Sequence, residues 1–210
     1  MAAPAEMTTR DISGKYIMNK TLSDDNDEIL RLQGVGWMTR KAISIATLYL
    51  DIRHFTEEGI EQIVIDQTIT GGIKGTKEHR RFDWVERPHE DHIFGPVLGK
   101  SNRFTLDEIE QDWLKQDWSE DSFLDGKIVY TRAMSDTEKS GRTWTAQQVW
   151  GFEQVNGEKR YTRHVYFTGP NGEVIQNRLV YDYREAPSSR FRADKYLTHR
   201  QCRGPLVNYR

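Results

Sequence analysis

Gly14-Lys15-Tyr16-Ile17-Met18, then Asp27-Glu28-Ile29-Leu30, then Gly34-Val35-Gly36-Trp37-Met38-Thr39-Arg40-Lys41-Ala42 is the stretch whose reading decides the fold. From Gly14 to Leu22 apolar and polar positions alternate, with Tyr16 and Met18 on one side, which is the period of a strand. Ser23-Asp24-Asp25 then supplies N-cap side chains, and Ile29, Leu30 and Leu32 follow at helical spacing, so a short helix is predicted over 25–33. Gly34 and Gly36 break it. Trp37, Met38, Lys41, Ala42, Ile45 and Ala46 give a second amphipathic run, and the two runs predict a helix-turn-helix hairpin.

Beyond the hairpin the period returns to two. Leu48, Leu50 and Ile52 alternate with Tyr49, Asp51 and Arg53 up to a turn at Glu57-Glu58-Gly59, and Ile63, Ile65, Gln67 and Ile69 continue the pattern. Gly71, Gly72 and Gly75 mark the next turn, after which shorter strands are predicted at 76–85, 90–96 and 98–105. Residues 106–125 change character, because Leu106, Ile109, Trp113 and Leu114 have helical spacing among many acids, and an inserted acidic helix or lid is expected there. Four strands over 127–134, 143–154, 159–168 and 173–184, with turns such as Asn156-Gly157 and Pro170-Asn171-Gly172, complete an antiparallel meander. Residues 1–11 are small and polar and are expected to be disordered. A barrel domain is expected over 12–186, with 106–125 as its insertion and 187–210 as a basic C-terminal extension.

Composition narrows the class. With 36% hydrophobic, 30% charged and 11% aromatic residues the chain has the balance of a soluble globular protein. A formal charge of −2 supplies no global field to draw it to nucleic acid or an anionic membrane. The single cysteine, Cys202, cannot form an intramolecular disulfide, which suits a reducing compartment. The first residues carry neither a basic region nor an apolar run of the secretory kind, and no stretch has the length of a membrane span, so a cytoplasmic location without stable membrane insertion is the expectation. Oligomeric state is left open.

One strand, two short helices and then eight or nine short antiparallel strands is an uncommon order. On the residues quoted at the outset the chain resembles the cytosolic fatty-acid-binding protein family: its opening strand, first helix and Gly-Val-Gly-x-x-x-Arg-Lys segment. The similarity in residues covers roughly 12–70; the later strands agree in order and turn placement. The acidic insertion and basic tail have no counterpart in the family's minimal form, so the chain looks like a divergent, enlarged member. The resemblance implies an all-β fold: a closed antiparallel up-and-down barrel of about ten strands, lipocalin-like, with the helix hairpin roofing a hollow that holds one small hydrophobic or amphipathic ligand. A barrel of that size has room for such a guest.

The family's usual carboxylate anchor is an Arg-x-Tyr on the last strand. Here that strand reads Arg178-Leu179-Val180-Tyr181-Asp182-Tyr183-Arg184, and the odd spacing puts Arg178 and Tyr181 on opposite faces. Arg178, Tyr181 and Tyr183 are candidate ligand contacts, with Arg132 and Arg163 as substitute cations able to make a bidentate contact. Trp144, Trp150, Tyr161 and Met38 are candidate apolar contacts, alongside the aromatic late-strand residues Phe152, Tyr166 and Phe167. His164 and Tyr166 share one face of a predicted strand and Tyr161 and Arg163 the other, so one pair must point inward. An inward His164–Tyr166 pair would serve proton transfer, as would His92. His79, His89 and His92 with Glu90 and Asp91 match no standard metal spacing, and neither metal nor cofactor is expected.

Three functions remain: binding of a lipid-, polyketide- or terpene-like ligand; cofactor-independent cyclisation, isomerisation or dehydration of such a molecule; and a protein-interaction barrel with a filled centre.

Overall fold

A computed structural model of the chain describes residues 1–184. Ten antiparallel strands form one sheet in the order β4-β3-β2-β1-β10-β9-β8-β7-β6-β5. They are β1 (Gly14–Met18), β2 (Leu48–Glu57), β3 (Ile60–Ile69), β4 (Ile73–Arg81), β5 (Arg87–Asp91), β6 (Gly95–Phe104), β7 (Ile128–Ser135), β8 (Thr145–Val155), β9 (Glu158–Thr168) and β10 (Val174–Arg184). Two helices, α1 (Asp27–Leu32) and α2 (Trp37–Ile45), lie between β1 and β2, as the sequence pattern predicts.

The first and last strands meet, with Lys15 opposite Arg184 and Met18 opposite Tyr181, so the sheet curls into a barrel and two edges disappear. Tight hairpins set the registers: Glu58-Gly59 and Asn156-Gly157 both have positive φ at each residue, the backbone of a type I′ turn whose twist matches that of its strands. Closure is incomplete at one seam. Among the described residues β4 and β5 share no ladder, and the chain is stitched there by a parallel bridge between Phe82 and Ser101 and by the Trp84 amide donating to the Ser101 carbonyl at 3.1 Å.

The barrel is solid at the end away from the helices and hollow beneath them. Tyr16, Leu50, Ile52, Ile63, Ile65, Trp150, Phe152 and Tyr161 fill the solid end. At the other end Ile29 and Leu32 of α1 pack with Trp144, Ala146, Val165 and Phe167. Helix α2 buries no residue fully.

Residues 1–11 depart from the expected disorder. The Ala3 amide donates to the Lys159 carbonyl at 2.7 Å, Lys159 Nζ donates to the carbonyls of Ala5 and Met7 at 2.9 and 2.5 Å, and Arg103 Nη2 donates to that of Thr9 at 2.5 Å. Order here comes from backbone carbonyls capping buried cations, a source that no apolar periodicity announces. The insertion is not one helix but three short 3-10 turns at Leu106–Glu108, Asp112–Lys115 and Glu120–Ser122. They lie on the outside of the barrel, where Ile109, Leu114, Trp113, Trp118 and Phe123 form an outer apolar cluster with Tyr130, Val149 and Tyr166. The expected extension over 187–210 lies outside the described residues.

Candidate functional site

Register decides which side chains face the hollow. On β9, Tyr161 pairs with Phe152 and Tyr181, and Arg163 with Trp150 and Leu179. Because neighbouring strands keep partners on one face, the odd positions of β9 point inward with Tyr161, Arg163, Val165 and Phe167. The even positions, His164 and Tyr166, point outward.

A cavity of about 510 Å³ lies between the helices and the solid end. Ile29 and Leu30 of α1, Ile43 of α2, and Leu48, Ile69, Phe94 and Trp144 provide apolar walls. The floor is polar. Glu78 of β4 accepts from Arg163 Nη1 at 3.2 Å and from Gln67 Nε2 at 2.8 Å through one oxygen. Its other oxygen accepts from Arg80 Nη2 at 2.8 Å. Arg163 Nε donates to the Tyr161 hydroxyl at 3.1 Å, and its guanidinium carbon stands 4.0 Å from the Trp150 ring centroid, a cation–π contact that is strong when water is excluded. Trp150 in turn donates to Gln148 at 2.9 Å. One guanidinium nitrogen, Arg163 Nη2, is buried without a hydrogen-bond partner among the described residues. An unpaired buried donor costs free energy.

The charges of this floor are fixed. Burial pushes the Glu78 carboxyl up, but Arg163 and Arg80 overcome it and hold the group at about 2. Burial raises the Tyr161 and Tyr181 hydroxyls above the usual tyrosine range. For Arg163 burial acts downward, and the surrounding Tyr161, Tyr181 and Glu78 more than reverse it. At neutral pH none of these four groups exchanges a proton readily, so the floor offers oriented dipoles and one spare cationic donor, not an acid–base pair.

Of the residues expected from sequence, Arg163, Tyr181 and Trp144 line the cavity, while Trp150 and Tyr161 support Arg163 from below. Tyr183 also turns inward but packs against Tyr16, with ring centroids 5.5 Å apart, in the solid end. The others fall elsewhere. Arg178, opposite His164, and Arg132, opposite Gln147, sit on the outer face of the barrel. Met38 projects from α2 and is 78% exposed. His92 occupies the exposed turn between β5 and β6. His164 is buried outside the barrel, stacked on Trp113 with centroids 4.7 Å apart; it is paired with Glu153, which also faces Arg178 at 3.6 Å. This cluster braces the insertion against β8 and β9, and the proton-transfer role expected of His164 and Tyr166 at the hollow is not supported by their placement.

Glu78, Arg80, Gln67 and Gln148 were missed as site residues. Gln67 carried a signal, since it interrupts the inward row Ile63, Ile65, Ile69. Glu78 and Arg80 lie in the charged run Lys77-Glu78-His79-Arg80-Arg81, where alternation of charge with charge hides which residues turn inward.

Strand order, roofing helices and a hollow with a polar floor define a barrel of the fatty-acid-binding-protein fold. Among solved structures, apo lipid binding protein 8 of Caenorhabditis elegans matches with a TM-score of 0.51 at 13% identity, over 86% of this chain and all of that one (100%). In sequence the chain is 27% identical over 190 residues to the probable pericyclase scpY of Mollisia scopiformis, covering 87% of this chain and 94% of the relative. It is 26% identical over 192 residues to the pericyclase pydY of Acremonium sp, covering 87% and 97%. No protein-family model matches the chain. Among the described residues no helix is long and apolar enough to cross a membrane.

Proposed function

We propose that the barrel takes up one small, amphipathic, polyunsaturated molecule and promotes its pericyclic ring closure, with Arg163 polarising a carbonyl of the substrate. The observation that carries this reading is the floor, where the buried guanidinium of Arg163 borders the hollow and keeps one nitrogen, Nη2, without a hydrogen-bond partner among the described residues. A pericyclic step redistributes bonds through a cyclic transition state and needs no proton carrier. It is accelerated by holding a flexible chain in its reactive conformer and by drawing electron density toward a fixed donor. Groups locked in one protonation state suit that task and would serve acid–base chemistry poorly. The similarity to the pericyclase pydY and to the probable pericyclase scpY, over nearly the whole length of each, supports the same class of reaction. Carriage of a lipid-like ligand without chemistry is the second reading, favoured by the fold shared with the Caenorhabditis elegans lipid binding protein.

Incubation with acyclic polyenes of graded length bearing an α,β-unsaturated ketone tests the proposal, with chiral chromatography for isomers of unchanged mass. The intact chain is expected to yield one enantiomer faster than buffer. Arg163→Met, which keeps the bulk and removes the donor, is expected to lose roughly a hundredfold in rate, as removal of one preorganised donor does elsewhere. Racemic product at the buffer rate across the set would leave the carrier reading.

A further inference from the structure

The hollow does not end at the barrel wall. Its lining includes Glu78 and Arg80, on the inner face of β4, and also Lys77, His79 and Arg81, on the outer face of the same strand. Consecutive residues of both parities, Gly75 to Arg81, border the cavity, as they do where it reaches a strand's unpaired backbone edge. That edge is the unpaired seam, and Arg87 and His89 of β5 with Gly99 and Lys100 of β6 form its other side. At Gly99 the two sides approach each other: a Cβ there would stand 3.2 Å from Arg80 Nη1.

The seam is rich in cations. Seven Lys and Arg residues border the cavity against two carboxylates; Lys20 lies at the end of α2, and the other six, Lys77, Arg80, Arg81, Arg87, Lys100 and Arg163, lie at the seam or on the floor beside it, in a chain whose formal charge is −2. Local pairing reduces the surplus without cancelling it: Lys77 shares Asp66 with Arg53, each at 3.4 Å. Arg80 and Arg163 share the single carboxylate of Glu78. Arg81 and Arg87 share that of Asp83, at 3.7 and 2.6 Å. Lys100 has an aromatic ring for a partner, its Nζ lying 4.5 Å from the Trp84 centroid. The positive field is felt by His79, which burial and then Arg81 and Arg87 push below the ordinary histidine value.

We infer that the β4–β5 seam is a cation-lined side mouth through which an amphipath bearing an anionic group loads, its charged end held at the seam and its apolar body beneath the helices. The inference rests on the enclosing-barrel reading above and adds the substrate's charge and its route. Low-dielectric walls concentrate such a field and favour capture of an anion.

Two probes of nearly the same aromatic frame test it: 1-anilinonaphthalene-8-sulfonate, and uncharged N-phenyl-1-naphthylamine. In the full chain, the double substitution Lys77→Glu, Lys100→Glu is expected to weaken the sulfonate probe by about tenfold or more at low salt, to flatten its salt dependence, and to leave the neutral probe within about twofold. Gly99→Leu narrows the seam. Stopped-flow traces of this variant are expected to show association and dissociation slowed by the same factor, with Kd unchanged, because a constriction on the path alters both rates alike. Equal loss of both probes in the charge variant, or unchanged rates in Gly99→Leu together with slowed rates in Ile43→Trp under the helices, would overturn the side mouth while leaving the hollow intact. Failure of the unaltered chain to bind either probe would overturn the hollow as well.

Discussion

Replacing Glu78 by Gln tests the electrostatic account of the floor most directly. The substitution keeps size and shape but removes the one charge that Arg80 and Arg163 share. A carboxyl held at about 2 against an ordinary 4.5 corresponds to roughly 3 kcal/mol favouring the native ion cluster, within the range expected when one partner of a buried pair is removed. Urea denaturation at pH 7 should therefore show the midpoint falling by about 1–2 M for a slope typical of this size. The pH dependence gives the sharper check. The Glu78 value is lowered on folding, so its contribution is complete above about pH 4.5 and drains away as pH falls toward 2. At pH 3 about 2 of the 3 kcal/mol should be gone, bringing Glu78→Gln to within about 1 kcal/mol of the unaltered chain. Glu61, also held at about 2 through His54 and Arg103 against its burial, titrates alike in both proteins and drops out of the difference. A stability gap that stays constant from pH 7 to pH 3 would mean that packing, and not charge, had been disturbed, and would refute the reasoning.

Gly151→Ala should lose about 1–3 kcal/mol, read as a lower melting temperature, because its Cβ would stand 2.6 Å from Ser122 Oγ and 2.9 Å from Trp118 where the insertion presses on β8; an unchanged melting temperature would show that the insertion lies loosely on the barrel. Arg178→Ala should leave the affinity for 1-anilinonaphthalene-8-sulfonate within about twofold, since position 178 is on the outer face. A loss above about tenfold would return the anchor to the last strand.

Much of the architecture was legible because its signals are local. The helix pair announced itself through a change from period two to helical spacing, although the expected N-cap side chains of Ser23 and Asp24 do not cap it: α1 begins after Asn26 with no side-chain cap bond, and Ser23 and Asp24 bond to β10 instead. The Asn156-Gly157 and Glu58-Gly59 turns fell where the alternating runs stop. What could not be read was the parity of the late strands. Tyr161, Thr162, Arg163, His164 and Val165 are all buried, the odd positions by the barrel interior and the even ones by the insertion. A strand covered on both faces loses the polar–apolar contrast from which an inward side is inferred, so the choice between Arg163 and His164 depended on tertiary register.

The same insertion explains why an arginine stands where it does. Arg163 needs a rigid strand beneath it, because a buried guanidinium with one unpaired nitrogen tends to swing toward solvent or draw water in. Trp150 and Tyr161 confine it from below, Glu78 fixes one nitrogen, and the outer cluster of His164, Glu153, Trp113 and Trp118 stiffens β8 and β9 from behind. A plain ligand carrier gains little from so fixed a donor, since its guest need only be held. A site that must draw on one carbonyl while a chain folds over it gains from every restraint on that donor's position. The residues that look idle, walled off outside the barrel, thus bear on the proposed chemistry through the one side chain they keep still.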